Sequence, residues 1–155
     1  MYKRQIVDLV RNDLSRVAAA DSVCVDELFG IHTFSTVHQM ISSVSCTLAE
    51  GVTPLDIMQA TFPMGSMTGA PKLSAMRHIA AMEEAGRGVY SGALGYVAPN
   101  GDWDLNVVIR SLMHHGETGR VDATFGGAIT MLADAQEEYQ ECLLKAEALR
   151  QCLVP

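Results

Sequence analysis

The chain has 155 residues, a hydrophobic share of 48% and a formal net charge of −7, which is the balance of a globular domain able to bury a core. No stretch approaches the roughly 18 unbroken apolar residues that span a bilayer, and no Lys/Arg cluster suits a phosphate backbone. We therefore expect neither membrane insertion nor nucleic-acid binding. The four cysteines show no C-x-x-C spacing, so we expect reduced thiols in a cytoplasmic protein, with no zinc site.

The first predicted element is an amphipathic helix over Ile6–Val17. Met1–Gln5 carry no cap or turn signal before it, so the chain is interpreted as starting inside a helix. This pattern indicates a truncated chain.

Two further elements are expected before residue 62. In Ser35–Ala49 the apolar residues recur at helical spacing, which predicts a second helix after a short apolar segment at Val23–Phe29. His38 lies at the edge of this apolar stripe, where a hydrogen-bonded packing role and a catalytic role both stay open. A short helix should begin at Pro54, capped by Thr53.

A loop of small residues follows at Gly65–Lys72 and leads into a predicted helix over Lys72–Glu84, with Pro71 as its first residue. Such loops present free N–H groups to an anion. Pro71 stands where the phosphate-loop pattern G-x-x-x-x-G-K-[ST] has no proline, so nucleotide binding is not expected.

The next part of the chain predicts an antiparallel three-stranded meander. Its turns are Asn100-Gly101 and Gly116–Gly119. The order of helices, then sheet, then helix indicates an α+β fold. The strands are expected at Tyr90–Ala98, Trp103–His114 and Arg120–Met131.

The hairpin registers place Arg110 in the middle strand. A two-residue turn sets it opposite Ser91, beside Tyr90, and a four-residue loop sets it opposite Phe125, beside Gly126-Gly127. An arginine flanked by a tyrosine and by closely approachable backbone is a candidate clamp for a carboxylate. An exposed arginine on the solvent face is the alternative.

The last predicted helix runs from Ala135 to Cys152, with Asp134 at its cap. Glu138, Glu141 and Lys145 fall within about 60° of one another on its apolar side. Buried carboxylates need a compensating cation, and hard oxygen ligands favour magnesium. A partly solvated ion pair between Glu141 and Lys145 is the competing interpretation.

Together these segments resemble the chorismate-utilising enzymes, whose chorismate-binding domain is shared by anthranilate, aminodeoxychorismate, isochorismate and salicylate synthases. The resemblance implies an α+β sandwich of antiparallel sheets flanked by helices. The matching blocks are IVDLVRNDL (6–14), the His38 segment, FPMGSMTGAPK (62–72), RGVYSGALGY (87–96), DLNVVIRS (104–111), GGAIT (126–130) and EEYQECLLKA (137–146).

The resemblance also implies roles for individual residues and a bound Mg²⁺ ion. The metal ligand falls on Glu141. The catalytic residues fall on His38, Glu138 and Lys145. The substrate-binding residues fall on Ser66, Thr68, Tyr90, Arg110, Gly126, Gly127 and Ala128.

Some positions depart from the family pattern. Ala128 stands where many members have glycine, and Ala133 replaces a frequent serine. A second acidic site residue usually stands about where this chain has Tyr2. We therefore interpret residues 1–5 as foreign or misread sequence, and residues 1–155 as one partial domain, the C-terminal portion of a chorismate-binding domain.

The implied activity is Mg²⁺-dependent amination of chorismate to 4-amino-4-deoxychorismate, a step towards folate, with ammonia from a glutamine amidotransferase subunit or domain. Formation of anthranilate for tryptophan synthesis is the alternative, followed by isochorismate- or salicylate-type chemistry and by a non-catalytic binding module. The segment that separates these reactions is expected upstream. We therefore expect the 155-residue chain alone to be catalytically silent.

Overall fold

The computed structural model describes residues 2–153, without the side chain of Tyr2; Met1, Val154 and Pro155 lie outside the described residues. The prediction that residues 1–5 are foreign sequence therefore lies partly outside the described residues. The chain divides into two compact units, Met1–Glu84 and Ala85–Pro155. In the described part, no helix is both long and apolar enough to cross a bilayer. The assignment of residues 1–155 to one partial domain stays a prediction.

The first unit is built around its N-terminal helix. Helix α1 (Tyr2–Ser15) packs against helix α2 (Pro54–Thr61), strand β2 (His38–Ser45) and a short 3₁₀ turn. Buried Val7 and Val17 lie on or just after α1. The prediction of this helix is confirmed. The elements are α1 (Tyr2–Ser15), β1 (Cys24–Thr33), β2 (His38–Ser45), α2 (Pro54–Thr61), the 3₁₀ turn (Gly65–Met67) and α3 (Lys72–Met82).

The predicted helix over Ser35–Ala49 is wrong. His38–Ser45 form strand β2, which pairs antiparallel with β1 so that Thr33 lies opposite His38. The N–H of Phe34 donates to the carbonyl of Val37 at 2.9 Å and closes the hairpin. Valine, isoleucine and serine are weak helix formers, and the first two fit a pleated surface well. Pairing with β1 therefore prevails over the helical spacing of the apolar residues.

Helix α2 begins at Pro54 as predicted, because Thr53 and Asp56 form a capping box. The N–H of Thr53 donates to the Asp56 carboxylate at 2.8 Å, and the N–H of Asp56 donates to Thr53 Oγ1 at 3.3 Å. The Thr53 hydroxyl also donates to the Asp56 carboxylate. This hydrogen bond, together with the one from the Thr53 N–H, holds the pKa of Asp56 below its ordinary value. Helix α3 begins at Lys72, as predicted, but Pro71 is the cap residue and not the first helical residue.

The second unit contains two antiparallel hairpins followed by a long helix. No strand of one hairpin pairs with a strand of the other among the described residues. The α+β class with antiparallel strands is confirmed. The elements are β3 (Ala93–Val97), β4 (Trp103–Val107), β5 (Met113–His115), β6 (Arg120–Asp122) and α4 (Ala135–Gln151).

The first hairpin differs from its predicted register by one residue. The N–H of Ala98 donates to the carbonyl of Asp102 at 2.7 Å, so three residues form the turn, with Gly101 at φ 91°. Strand β3 then pairs Ala93 with Val107. Beyond the strands, the N–H of Ser91 donates to the carbonyl of Val108, so Arg110 is not opposite Ser91.

The second hairpin keeps its predicted register, with Met113 opposite Asp122. Residues 108–112 separate β4 from β5, and residues 123–130 form no strand. Arg110 lies in the first of these segments with φ 49°, a left-handed conformation that does not belong to a strand. The prediction of Arg110 in a central strand opposite Phe125 is therefore wrong.

Helix α4 begins at Ala135, as predicted. Its cap is the Asp134 carboxylate, which accepts hydrogen bonds from the N–H groups of Gln136 at 2.9 Å and Glu137 at 3.0 Å. A negative charge at this position also offsets the positive end of the helix dipole. This cap fixes the start of α4, and the helical repeat then determines which side chains share one face of the helix.

The capping box of α2 generates a stability prediction. Replacing Thr53 with Ala removes the acceptor for the Asp56 N–H, so the free energy of unfolding should fall by about 1 kcal/mol. The pKa of Asp56 should rise towards its ordinary value of 3.8, because its largest stabilising hydrogen bond is lost. Denaturant unfolding and NMR titration measure the two effects. Thr53→Ser keeps the hydroxyl and serves as the control; equal stability of both variants would contradict the assignment.

Candidate functional site

The side chain of Lys145 joins helix α4 to the glycine segment of the second unit. Its ammonium lies 2.6 Å from Glu141 Oε1 and donates to the carbonyl oxygen of Gly126 at 2.9 Å. Glu141 precedes Lys145 by one helical turn, whereas Gly126 is 19 residues away in the chain. One cation thus fixes both the helix carboxylate and the backbone that faces it.

The two glycines allow side chains to approach the backbone closely. A Cβ atom at Gly127 would lie 2.5 Å from Glu138 Oε2, and one at Gly126 would lie 2.7 Å from the Tyr90 hydroxyl. Both distances are shorter than a real Cβ contact. Tyr90, the glycine segment and the carboxylate face of α4 are therefore close neighbours, and a side chain at either glycine would push them apart.

The glycine segment leaves backbone donors free. Within the described residues, the N–H groups of Gly126, Gly127 and Ala128 donate to no protein group. Free N–H groups are strong donors for an anion. This segment can therefore bind a carboxylate, and the methyl group of Ala128 leaves its N–H available.

Lys145 stabilises the ionised form of Glu141. The hydrogen bond and the charge of Lys145 lower the pKa of Glu141 below its ordinary value of 4.5. Glu138 is half-buried beside Gly127, and the side chain of Glu141 is 53% exposed. Glu141 can therefore accept a ligand from solution as well as the lysine.

The two carboxylates of α4 are of the ligand type that Mg²⁺ prefers. Among residues 2–153, no cluster of three or more His, Cys, Asp or Glu side chains could hold a metal. Glu138 and Glu141 offer hard carboxylate oxygens, and Mg²⁺ binds through one or two carboxylates while substrate and water complete its octahedron. The donor set thus suits a cation that binds together with an anionic ligand.

Arg110 has no hydrogen bond or ion pair with the described residues, and its side chain is exposed. Neither predicted hairpin contact with Ser91 or Phe125 forms. Its role as a carboxylate clamp stays a prediction. A guanidinium without a partner in the protein is nonetheless available to bind an anion from solution.

The remaining candidates lie in the first unit and are described by themselves. His38 is exposed at the start of β2, and its Nδ1 atom lies 3.1 Å from the Thr33 hydroxyl. Ser66 is exposed in the 3₁₀ turn without a hydrogen bond to the described residues. The Thr68 hydroxyl donates to the carbonyl of Met64 at 3.1 Å, which makes it part of the turn.

Cys142 and Thr33 are further neighbours of the candidate residues, and sequence reasoning missed the contact of Thr33. Cys142 follows Glu138 by one helical turn on the same side of the helix, and its Sγ atom would lie 3.9 Å from a Cβ atom at Gly127. Thr33 contacts His38 only because β1 and β2 pair. No local pattern signals that contact.

Comparisons with known proteins show the family to which the sequence is similar. The sequence pattern of the chorismate binding enzyme family matches residues 4–151. An aminodeoxychorismate synthase of Streptomyces griseus is 45% identical over 96% of this chain and 20% of its own length. Anthranilate synthase component 1 of Methanothermobacter marburgensis is 42% identical over 93% of this chain and 31% of its own length.

A solved structure shows the same likeness. Anthranilate synthase component I of Streptococcus pneumoniae TIGR4 is similar with a TM-score of 0.78 and 37% identity, over 93% of this chain and 33% of that chain. The chain belongs to the chorismate binding enzyme family. It spans between a fifth and a third of the length of these three relatives.

The contact between Lys145 and Glu141 generates a titration prediction. In Lys145→Met, the pKa of Glu141 should return upward to about its ordinary value of 4.5, because both causes of its lowering are removed. In the wild type, the ion pair stabilises the folded state fully at pH values above the ordinary pKa of Glu141. This stabilisation is lost as the pH falls through the lowered pKa. Because Glu141 is largely exposed, the change in unfolding free energy at neutral pH should stay below about 1 kcal/mol.

Carboxyl NMR titration of the purified chain measures this shift. Arg150→Met is the matched control, since Arg150 pairs with Glu147 on the same helix at 3.6 Å and does not contact Glu141. A Glu141 titration that is identical in the wild type and in Lys145→Met would show that the pair does not form in solution.

Proposed function

We propose that this chain forms the chorismate-binding part of an enzyme that aminates chorismate to 4-amino-4-deoxychorismate with Mg²⁺. The observation that carries the proposal is the contact of Lys145 with both Glu141 and Gly126. Through this contact, the carboxylates of α4, which can bind a cation, lie beside the backbone N–H groups of the glycine segment, which can bind an anion. A magnesium-bound carboxylate substrate needs that combination.

The substrate carboxylate is proposed to bind at the glycine segment. The N–H groups of Gly126, Gly127 and Ala128 provide donors, and the Tyr90 hydroxyl stands over Gly126. Arg110 adds a charge-assisted contact, since its guanidinium has no competing partner in the described residues. Backbone donors and a guanidinium together orient a planar carboxylate more firmly than either alone.

Glu141 is proposed to hold Mg²⁺ together with that carboxylate, with Glu138 beside the substrate. When bound, the ion neutralises the substrate carboxylate and polarises the ring. Lys145 lowers the pKa of Glu141 through its hydrogen bond and charge, and it offsets the negative charge while no cation is bound. The same lysine fixes the distance between the carboxylates and the glycine segment.

Amination at C4 requires two proton transfers. The departing hydroxyl must gain a proton to leave as water, and the attacking ammonia must lose one. The ammonium of Lys145 and the imidazole of His38 can supply protons, and the Glu138 carboxylate can accept one. The roles of His38, Ser66 and Thr68 at the reacting ring rest on the family resemblance alone.

The partner that supplies ammonia is also part of the proposal. Two of the similar proteins are called component 1 or component I, a name for a protein that works with a second component. We propose a glutamine amidotransferase as that second component.

Anthranilate formation is the second candidate. It is favoured by the 42% identity to an anthranilate synthase component 1 and by the similar solved structure. Both reactions use the same carboxylate and metal contacts and differ in the position that ammonia attacks. Only the product separates them.

The deciding experiment identifies that product. Protein expressed from its native gene is incubated with chorismate, Mg²⁺ and ammonium, and the products are separated by liquid chromatography with mass detection. The proposal expects 4-amino-4-deoxychorismate, and omission of Mg²⁺ should stop its formation. Anthranilate with loss of pyruvate would establish the second candidate. Chorismate binding without conversion would indicate a binding module.

Arg110 provides a specific test of substrate binding. In Arg110→Ala, chorismate affinity should fall about ten- to a hundredfold, because a charge-assisted bidentate contact contributes about 1.5–3 kcal/mol. Isothermal titration calorimetry with Mg²⁺ present measures the affinity. Arg120→Ala is the control, since Arg120 is an exposed arginine that pairs with Asp122 at 2.6 Å. Unchanged affinity in Arg110→Ala would refute the clamp.

A further inference from the structure

The first unit contains a buried ion pair that the proposed chemistry does not use. Lys72 Nζ lies 2.6 Å from Asp13 Oδ2, and the two residues are 59 positions apart in the chain. The Asp13 side chain is only 5% exposed and that of Lys72 only 15%. Surface ion pairs contribute little, but a buried charge is costly once its partner is removed. This pair therefore constrains the backbone on both sides.

A second contact fixes the other end of the same loop. Gly65 is buried against Leu9, and a Cβ atom at Gly65 would lie 2.7 Å from Leu9 Cδ2. Leu9 and Asp13 are one turn apart on the same face of α1. The loop from Gly65 to Lys72 is thus attached to α1 at two points that are about 6 Å apart along the helix axis.

This attachment sets the shape of the loop. The loop is held near both of its ends, at Gly65 by direct packing on Leu9 and at Lys72 through its side chain. Ser66 lies between the two attachments and is exposed. The Thr68 hydroxyl donates to the carbonyl of Met64 and tightens the turn from inside.

We propose that Asp13 and Lys72 are positioning residues that clamp the Gly65–Lys72 loop to α1 and thereby hold the exposed Ser66 in one position, where it is available to a ligand. The clamp acts at a distance, because neither residue needs to touch the ligand. The consequence for substrate binding rests on the proposed function. The consequence for loop order does not, so the two can fail separately.

The first arm of the test needs no ligand. Hydrogen–deuterium exchange of the amides in residues 65–70 should accelerate about tenfold or more in Asp13→Asn and Lys72→Met, since each removes one end of the clamp. Lys72→Arg retains the charge and should exchange like the wild type. Asp8→Asn is the matched control, because it breaks an exposed pair with Arg11 on the same helix.

The second arm measures chorismate affinity and, in active protein, KM and kcat. Asp13→Asn and Lys72→Met should raise the dissociation constant and KM about ten- to a hundredfold, while kcat changes less, as expected for lost orientation of a binding contact. Lys72→Arg and Asp8→Asn should bind like the wild type.

A separate variant covers the possibility that loss of the buried pair prevents folding. Gly65→Ala leaves the ion pair intact but introduces a Cβ atom against Leu9, so it should loosen the same loop. The double variant Leu9→Ala with Gly65→Ala relieves the contact and should restore slow exchange.

Unchanged exchange in residues 65–70 of Lys72→Met and Gly65→Ala would overturn the clamp. So would acceleration spread evenly over the whole unit, because that pattern means general destabilisation. If the loop loosens but the variants bind chorismate like the wild type, the positioning role is overturned. If the wild type itself binds no chorismate, the proposed function fails, and the exchange arm still decides whether the clamp exists.

Discussion

The arrangement of the second unit depends on the ammonium of Lys145. This single group bonds to Glu141 on its own helix and to the carbonyl of Gly126, which lies in a segment without regular structure. An irregular segment has no ladder to hold it, so a side-chain donor must supply the constraint. Asp134 fixes the first turn of α4. The helical repeat then determines the position along the helix at which Lys145 contacts the backbone of Gly126.

Close approach is the second constraint, and it operates at Gly126 and Gly127. The Tyr90 hydroxyl would lie 2.7 Å from a Cβ atom at Gly126, and a Glu138 carboxylate oxygen would lie 2.5 Å from one at Gly127. Opposite charges and dipoles interact more strongly at short range and away from water, so the missing methyl groups strengthen the electrostatics of the site. The first unit uses the same device, with Gly65 packed directly on Leu9 of α1.

Sequence reasoning succeeded where one local signal fixes an element. The cap at Thr53 and the face shared by Glu138, Glu141 and Lys145 depend only on residues within about one or two helical turns. It failed where a distant partner decides. The β2 residues satisfy a helical period, yet they pair with β1, and no local pattern contains that information. A turn of three residues at Gly101 instead of two shifted the ladder, and the left-handed conformation of Arg110 removed it from the sheet.

The pairing of Thr33 with His38 makes the loop between β1 and β2 intolerant to changes of length. Side chains alternate between the two faces of a strand, so slipping the register by one residue would turn every β2 side chain to the opposite face. An insertion of one residue between Phe34 and Val37 can be absorbed by a bulge or by such a slip. The slip would separate the imidazole from its hydroxyl partner and reverse the direction in which it points. Evolution or design can therefore vary the residue types in this loop far more freely than their number.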